Sequence, residues 1–309
     1  EDPKMLYFKN LFQLIKLTFV FFLLFLSSAQ SSPTKISILQ FIEHPALDVT
    51  REGFLEELNK LGYREGENLI LEFQSAQGNP TLAAQIAQKF MSDTPDVIVA
   101  IPTTAAQAAM SATKDTDIPV VFSSVTNPIA AKLVTSLETP EGNVTGVSNF
   151  VSVEPQFKLF KRVLPTLKTL GIIYNPGEAN STALNAMMEK VASSFDLTLV
   201  MAVASKTSDV MPATRSLCGK VDAVFVNNDN TALSAFKSVV KAAQACGIPA
   251  FVSDIDIADQ GALAALGPDQ REVGRQTARM VDFILKNPDK PLPSIEFPQK
   301  TEEYINKKI

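Results

Sequence analysis

Residues 96–128 read DVIVAIPTTAAQAAMSATKDTDIPVVFSSVTNP, and this stretch decides the fold. DVIVAI is an apolar run of strand length, opened by Asp96 and closed by Pro102. The Ala-rich run after it has no Gly or Pro, which predicts a helix over 103–113. A second strand over 118–122 ends in the small polar run Ser123, Ser124, Val125, Thr126, Asn127. A continuous apolar strand is one buried on both faces. Such strands, alternating with helices, make a parallel sheet covered on both sides.

The same alternation extends both ways. Upstream, a strand over 35–42 (KISILQFI) leads to a helix over 46–61 ended by Gly62. A strand over 69–74 and a helix over 80–91 follow. Downstream come a short helix after Pro128 and a strand over 144–147. The pattern then restarts. Helix 154–163 leads to strand 169–174, helix 180–194 to strand 197–203, and helix 207–217 to strand 221–226 (VDAVFV). Helix 231–245 leads to strand 249–252. A strand over 262–266, a helix over 269–286 and a last strand near Ile295 close the chain. Two βα series of similar length predict an α/β protein of two doubly wound lobes with parallel sheets, joined by a hinge. The expected crossings lie near 146–152, 254–261 and 287–293. Lobe one is then 35–148 plus about 258–288, and lobe two 149–257 plus about 292–309.

The chain has 309 residues, 46% hydrophobic and 20% charged, enough to bury the cores of two lobes. Its net charge of −5 argues against nucleic acid as a partner. Residues 1–29 have the order of a secretory signal peptide: Lys4, Lys9 and Lys16, then the apolar run LTFVFFLLFL over 17–26, then Ser27, Ser28 and Ala29. The rival reading is a membrane anchor, but the run falls short of the roughly 20 residues a span needs. Cleavage removes three Lys, one Glu and one Asp and leaves a net charge of −6. The protein is therefore expected outside the cytoplasm, in the periplasm or on the outer face of the membrane. Cys218 and Cys246 each precede a Gly after a predicted helix. Neighbouring helices lie about 8–10 Å apart, and a disulfide wants Cα atoms within about 7 Å. Two reduced, buried thiols are the favoured reading over a disulfide.

In open parallel sheets, ligands bind outside the carboxyl ends of the strands. The residues there are Glu43 and His44; Thr103 and Thr104; Ser124, Thr126 and Asn127; Asn149 and Phe150; Asn175, Glu178, Asn180 and Ser181 after Tyr174; Asn227, Asn228, Asp229, Asn230 and Thr231; and Asp254. Many open a helix, where free N–H groups and partial positive charge suit a carboxylate. The nearby acids suit an ammonium group, so a site with both takes a zwitterion such as an amino acid. Ser, Thr, Asn and Asp are also ordinary N-caps. Capping does not explain three amide or acid groups in a row at 228–230, nor Asp254 directly after a buried strand. His44 is the sole His and has no Cys or second His to form a metal site with. No G-x-S-x-G, G-x-x-x-x-G-K-[ST], H-E-x-x-H or C-x-x-C motif is present, so neither a catalytic centre nor a cofactor is expected. Glu178, Asp229 and Asp254 leave a weak reading as glycosidase carboxylates.

Further motifs run through the chain in order. They are EHPALD over 43–48 with REGF over 51–54, GY and GEN over 62–68, AQGN over 76–79, PVVF with VTNP over 119–128, and NVTGVS over 143–148. YNPGEANS over 174–181, DNT over 229–231, GALA over 261–264 and INKK over 305–308 follow. This series resembles the ABC-transporter substrate-binding proteins grouped with tryptophan and tyrosine uptake. The resemblance covers about residues 35–309. It implies a type I periplasmic binding-protein fold that closes two lobes on a small ligand, an aromatic amino acid, and delivers it to a membrane permease as a monomer. Asn127 and Asn149 stand where relatives often carry Asp. On this reading the ligand carboxylate rests on the helix start at Thr103 and Thr104, or at Ser181. Asp254, Asp229 or Glu43 meets the ammonium, and Tyr174 and Phe150 flank the side chain. His44, Asn127, Asn149, Glu178, Asn180 and Asn230 complete the candidate site. A ligand-sensing module, a receptor for a sugar, nucleoside or peptide, and a secreted hydrolase are the alternatives.

Overall fold

A computed structural model of the chain describes residues 32–307. Two sheets organise them. The first has the order β2-β1-β3-β4-β5, with β1 Thr34–Gln40, β2 Leu69–Ser75, β3 Val97–Ile101, β4 Val120–Val125 and β5 Val144–Ser148, all parallel. The second has the order β11-β10-β9-β8-β6-β7, with β6 Thr169–Tyr174, β7 Thr198–Val203, β8 Ala223–Val226, β9 Ala250–Val252, β10 Ala264–Pro268 and β11 Thr301–Ile305. Only β11 runs antiparallel in it.

Helices cover both faces of each sheet. On the first sheet α1 (Pro45–Lys60) and α10 (Gln270–Lys286) take one face, and α2 (Pro80–Asp93) and α3 (Thr103–Ala112) the other. On the second, α4 (Val153–Val163) and α5 (Ala179–Ala192) oppose α6 (Val210–Ser216), α7 (Asn230–Ser234), α8 (Phe236–Ala245) and the short α9 (Ile255–Ala258). Strand alternation assigns the core. Ile98 and Ala100 of β3 point to α2 and α3, whereas Val97, Val99 and Ile101 point to α1 and α10. In the second lobe Phe160 of α4 stacks on Phe251 with ring centroids 4.2 Å apart. Local chemistry agrees with these elements. Asn79 caps α2 by accepting from the N–H of Thr81 and Leu82 at 2.9 and 3.2 Å, and Pro80 occupies the first helical position.

Several expectations need correction. The strand at 264–268 pairs with β9 and β11, so it belongs to the second sheet and not to lobe one. The chain crosses back at Asp269, immediately before α10, rather than near 254–261. Residues 295 and 296 do not form the last strand. Ile295 is buried in the first lobe and Glu296 makes an isolated bridge to Val147, so the return to the second sheet follows at about 297–300. No helix follows Pro128. Ala131 and Leu133 close turns on Asn127 and Pro128, and Asn127 Oδ1 accepts from Ala130 N at 2.9 Å. The helix expected over 231–245 breaks at Ala235. The leader over 1–29 lies outside the described residues.

Cys218 and Cys246 are not reduced and buried. They form a disulfide with Cα atoms 5.5 Å apart, and both are half-exposed. Helix-axis spacing misjudged them because each sits in the turn that follows α6 or α8, where the chain can approach more closely than two axes do. The bridge closes a 28-residue separation. Reduction, or the Cys218→Ala/Cys246→Ala pair, is expected to cost about 2 kcal/mol. Thermal unfolding with and without reductant checks this, and an unchanged midpoint would show the bridge carries no stability.

Candidate functional site

The carboxyl ends of the two sheets face each other across a narrow crevice with about 10 Å³ of space between its walls, roughly the room one water needs. The first lobe contributes His44, Pro102, Thr103, Ser124, Thr126 and Asn149. The second contributes Asn180, Asn228, Asn230, Leu233 and Asp254, and Gln270 enters from the start of α10. Asn228 and His44 join the lobes through neutral groups. Asn228 Nδ2 donates to Thr126 Oγ1 at 3.2 Å, and His44 Nε2 lies 3.4 Å from Asn230 Oδ1. Thr126 Oγ1 in turn donates to Asn149 Oδ1 at 3.0 Å, next to the first crossing.

Each side chain is placed by the turn it occupies. His44 precedes Pro45 as the N-cap residue of α1, without capping through its side chain. Burial holds its pKa down to about 4, against the raising effects of Asn230 and Asp48. Thr103 opens α3. Ser124 sits at a bulge in β4 with φ 60°, a left-handed conformation uncommon for Ser, and its Oγ donates to Gln270 Oε1 at 2.9 Å. Three buried polar atoms of lining residues have no protein partner: His44 Nδ1, Thr103 Oγ1 and Asn180 Oδ1. Buried groups of this kind call for a partner, which water or a ligand's polar atoms can supply; among the described residues Asn185, Ser253, Asp256 and Arg275 carry further ones outside the crevice.

Asp254 is the lining carboxylate. Its Oδ1 accepts from Asp256 N at 3.0 Å and its Oδ2 from Gln270 Nε2 at 2.7 Å. Among the described residues no cationic side chain pairs with it, and burial, with Asp256 beside it, pushes its pKa up to about 7. Burial and then Asp269 raise Asp256 to about 6. A carboxyl raised in the folded state contributes stability that is full below its ordinary pKa and lost as pH rises through the folded value. His44 acts in the opposite sense, and only below about pH 6.5, its ordinary value. Between pH 6.5 and 8 the unliganded protein is therefore expected to lose stability, with Asp229, raised by burial and by Glu178, acting in the same direction. Asp254→Asn should weaken that slope. A slope equal to that of the unaltered protein would remove Asp254 from the account.

The other expected residues fall outside the crevice lining. Glu43 is exposed. Thr104 is only half-buried, and Asn127 caps its own turn. Phe150 and Tyr174 pack on the second lobe's core. Glu178 is 2% exposed and accepts from five donors of its own lobe: the N–H and side chains of Asn230 and Thr231, and Asn180 Nδ2. It is an anchor that sets Asn180 and Asn230 in the wall. Asp229 caps α7 and accepts from Asn175 N at 2.6 Å, and Ser181 Oγ donates to Asn227 Oδ1. Ser124, Thr126 and Asn228 were named among the strand-end residues of the sequence but left out of the candidate site. Gln270 was missed because the residues after the strand expected over 262–266 were not among the strand ends searched.

The family model for ABC transporter substrate binding proteins matches residues 35–309. This chain belongs to that family. It is 37% identical over 274 residues to a tyrosine-binding protein of Clostridioides difficile, covering 88% of this chain and 78% of that one. A Streptococcus pneumoniae ABC domain solved in complex with L-Trp is 33% identical and superposes with a TM-score of 0.86, over 90% of this chain and 93% of that one. A ligand-free, open substrate-binding protein with adhesive properties from Clostridium difficile is 38% identical over 89% and 92% of the two chains, yet superposes at only 0.66. This substrate-binding protein thus overlaps the liganded relative more fully than the open one. Its fold is that of the type I periplasmic binding proteins. The family and these relatives bind solutes.

Proposed function

We propose that this chain is the extracytoplasmic receptor of an ABC importer, exported by the leader at 1–29 and working as a monomer without catalysis. It holds an aromatic amino acid between its lobes and hands it to a membrane permease. The relatives that bind tyrosine and L-Trp support the ligand class. Among the described residues no helix is long and apolar enough to cross a membrane.

The observation that carries the reading is the inventory of the crevice: one buried carboxylate without a cation, lining the same crevice as three residues with unpartnered polar atoms. An α-amino acid complements it. Its ammonium restores charge to Asp254, and Asn180 Oδ1 offers a second acceptor. Its carboxylate accepts from Thr103 Oγ and the N-terminal N–H groups of α3. Ala46, Leu47, Pro102 and Leu233 supply apolar wall for the side chain. Closing the lobes leaves each of these groups no alternative partner, which makes discrimination steep. Closure is a population shift set by differential affinity.

The test is a thermal-shift screen of the mature chain against the amino acids, followed by calorimetry. At a hundredfold excess over Kd, L-Trp, L-Tyr or L-Phe should raise the midpoint by about 5 °C or more. No shift with any of them would end this reading and direct the search to sugars, nucleosides or peptides.

A further inference from the structure

Gln270 is 2% exposed and makes bonds to both lobes. It is the first residue of α10, directly after the crossing at Asp269. Its Oε1 accepts from Ser124 Oγ at 2.9 Å and from Thr50 Oγ1 at 3.0 Å, both in the first lobe. An ionised carboxylate only accepts, so Asp254 fixes the amide's orientation and leaves Oε1 to the two hydroxyls, which donate as readily as they accept. The Nε2 is then turned to Asp254 Oδ2 in the second lobe, 2.7 Å away. With Asp256 N on Oδ1, the carboxylate plane is held from both ends, and Asp254 and Gln270 both line the crevice.

We propose that Gln270 is a positioning residue for ligand capture: its amide, anchored by Thr50 and Ser124, aims the Asp254 carboxylate at the ligand's ammonium and does so when the lobes are closed. The inference rests on the amino-acid reading above, which assigned Asp254 but gave Gln270 no role. A Gln suits the task because it donates to the carboxylate without neutralising it. A Lys or Arg here would pair with Asp254 and compete with the ammonium. The charged groups around the pair are consistent with this. Asp256 stands beside Asp254, while Asp269, Arg271 and Glu302 act on Asp256. From α1 the facing groups are Thr50, which is neutral, and His44, which burial keeps uncharged at neutral pH.

Gln270→Glu keeps the shape and the acceptor for Ser124 and Thr50 but replaces the donor to Asp254 with a carboxyl oxygen. Gln270→Met removes all three bonds. Calorimetric titration of both with L-Trp from pH 5.5 to 8.5, beside the unaltered protein, reads the role. The Glu variant should bind at least tenfold more weakly at pH 8 and recover as pH falls, because the protonated carboxyl donates as the amide does. The Met variant should be weakened without recovery. A residue that only supports the fold would give losses with no pH signature. Affinity of Gln270→Glu equal to the unaltered protein at pH 8, or a loss that does not respond to pH, overturns the proposal.

Thermal unfolding without ligand supplies an independent arm. The Glu variant should gain stability from pH 8 to pH 6 beyond the gain of the unaltered protein, through a proton shared with Asp254. If the unaltered protein binds no aromatic amino acid, the ligand reading fails. The unliganded pH response then still decides whether Gln270 holds Asp254, and its absence overturns that contact.

Discussion

Leucine in place of Gly274 is expected to destabilise the protein by about 4 kcal/mol or more and to abolish ligand binding with it. Gly274 in α10 lies where that helix meets α1. A Cβ there would overlap the carbonyl oxygen of Thr50 and come within 2.8 Å of Phe54 N. The contact is reciprocal, since a Cβ on Gly53 of α1 would overlap the carbonyl of Arg271. Both obstacles are backbone, so no rotamer change relieves them. Glycine within a helix costs about 1 kcal/mol relative to alanine, a cost this helix pair bears twice for the sake of the approach. The ion pairs that flank the crossing, Arg271 with Glu52 and Glu56, Arg275 with Glu56 and Arg279 with Glu57, are surface pairs and too weak to hold displaced helices. Displacing Thr50 would also release Gln270, which couples the packing defect to the site. Chemical denaturation measures the first effect. A midpoint equal to that of the unaltered chain would mean that the two backbones do not touch.

Asp254→Asn should weaken binding of an aromatic amino acid roughly 300-fold, about 3.5 kcal/mol. The substitution keeps the volume but removes the one lining charge that can meet an ammonium. Its signature separates site from scaffold. Because burying an unpaired carboxylate is unfavourable, the unliganded variant should be as stable as the unaltered protein at pH 8, or more so. Gly274→Leu loses both stability and binding, whereas Asp254→Asn loses binding alone. Equal affinity in calorimetry would exclude Asp254 from the ligand.

The fold was legible where the pattern is unambiguous. Continuous apolar strands such as DVIVAI and VDAVFV, each followed by a helix, could only be central parallel strands. Legibility failed where tertiary pairing decides. Residues 264–268 carry no mark of which sheet they join, and residues 301–305 (TEEYI) alternate in exposure as an antiparallel edge strand but not in polarity, so nothing in them reads as a strand. The site was partly legible by the rule that ligands lie beyond strand ends. His44, Thr103, Asn149, Asn180, Asn230 and Asp254 do line the crevice. Glu178 and Asp229 share their composition and their location, but spend their oxygens on the backbone of α7 and its preceding loop. Only the direction of a side chain separates these two groups, and one sequence does not give it. Gln270 follows the strand expected over 262–266, whose end was not among those searched.

The most direct test is a crystal structure of the mature chain grown with L-Trp. The expected result is a closed form with the amino acid in the crevice, its ammonium within hydrogen-bond distance of Asp254 and its carboxylate at Thr103. A ligand bound away from Asp254, or lobes that close with the amino acid outside the crevice, would contradict the account.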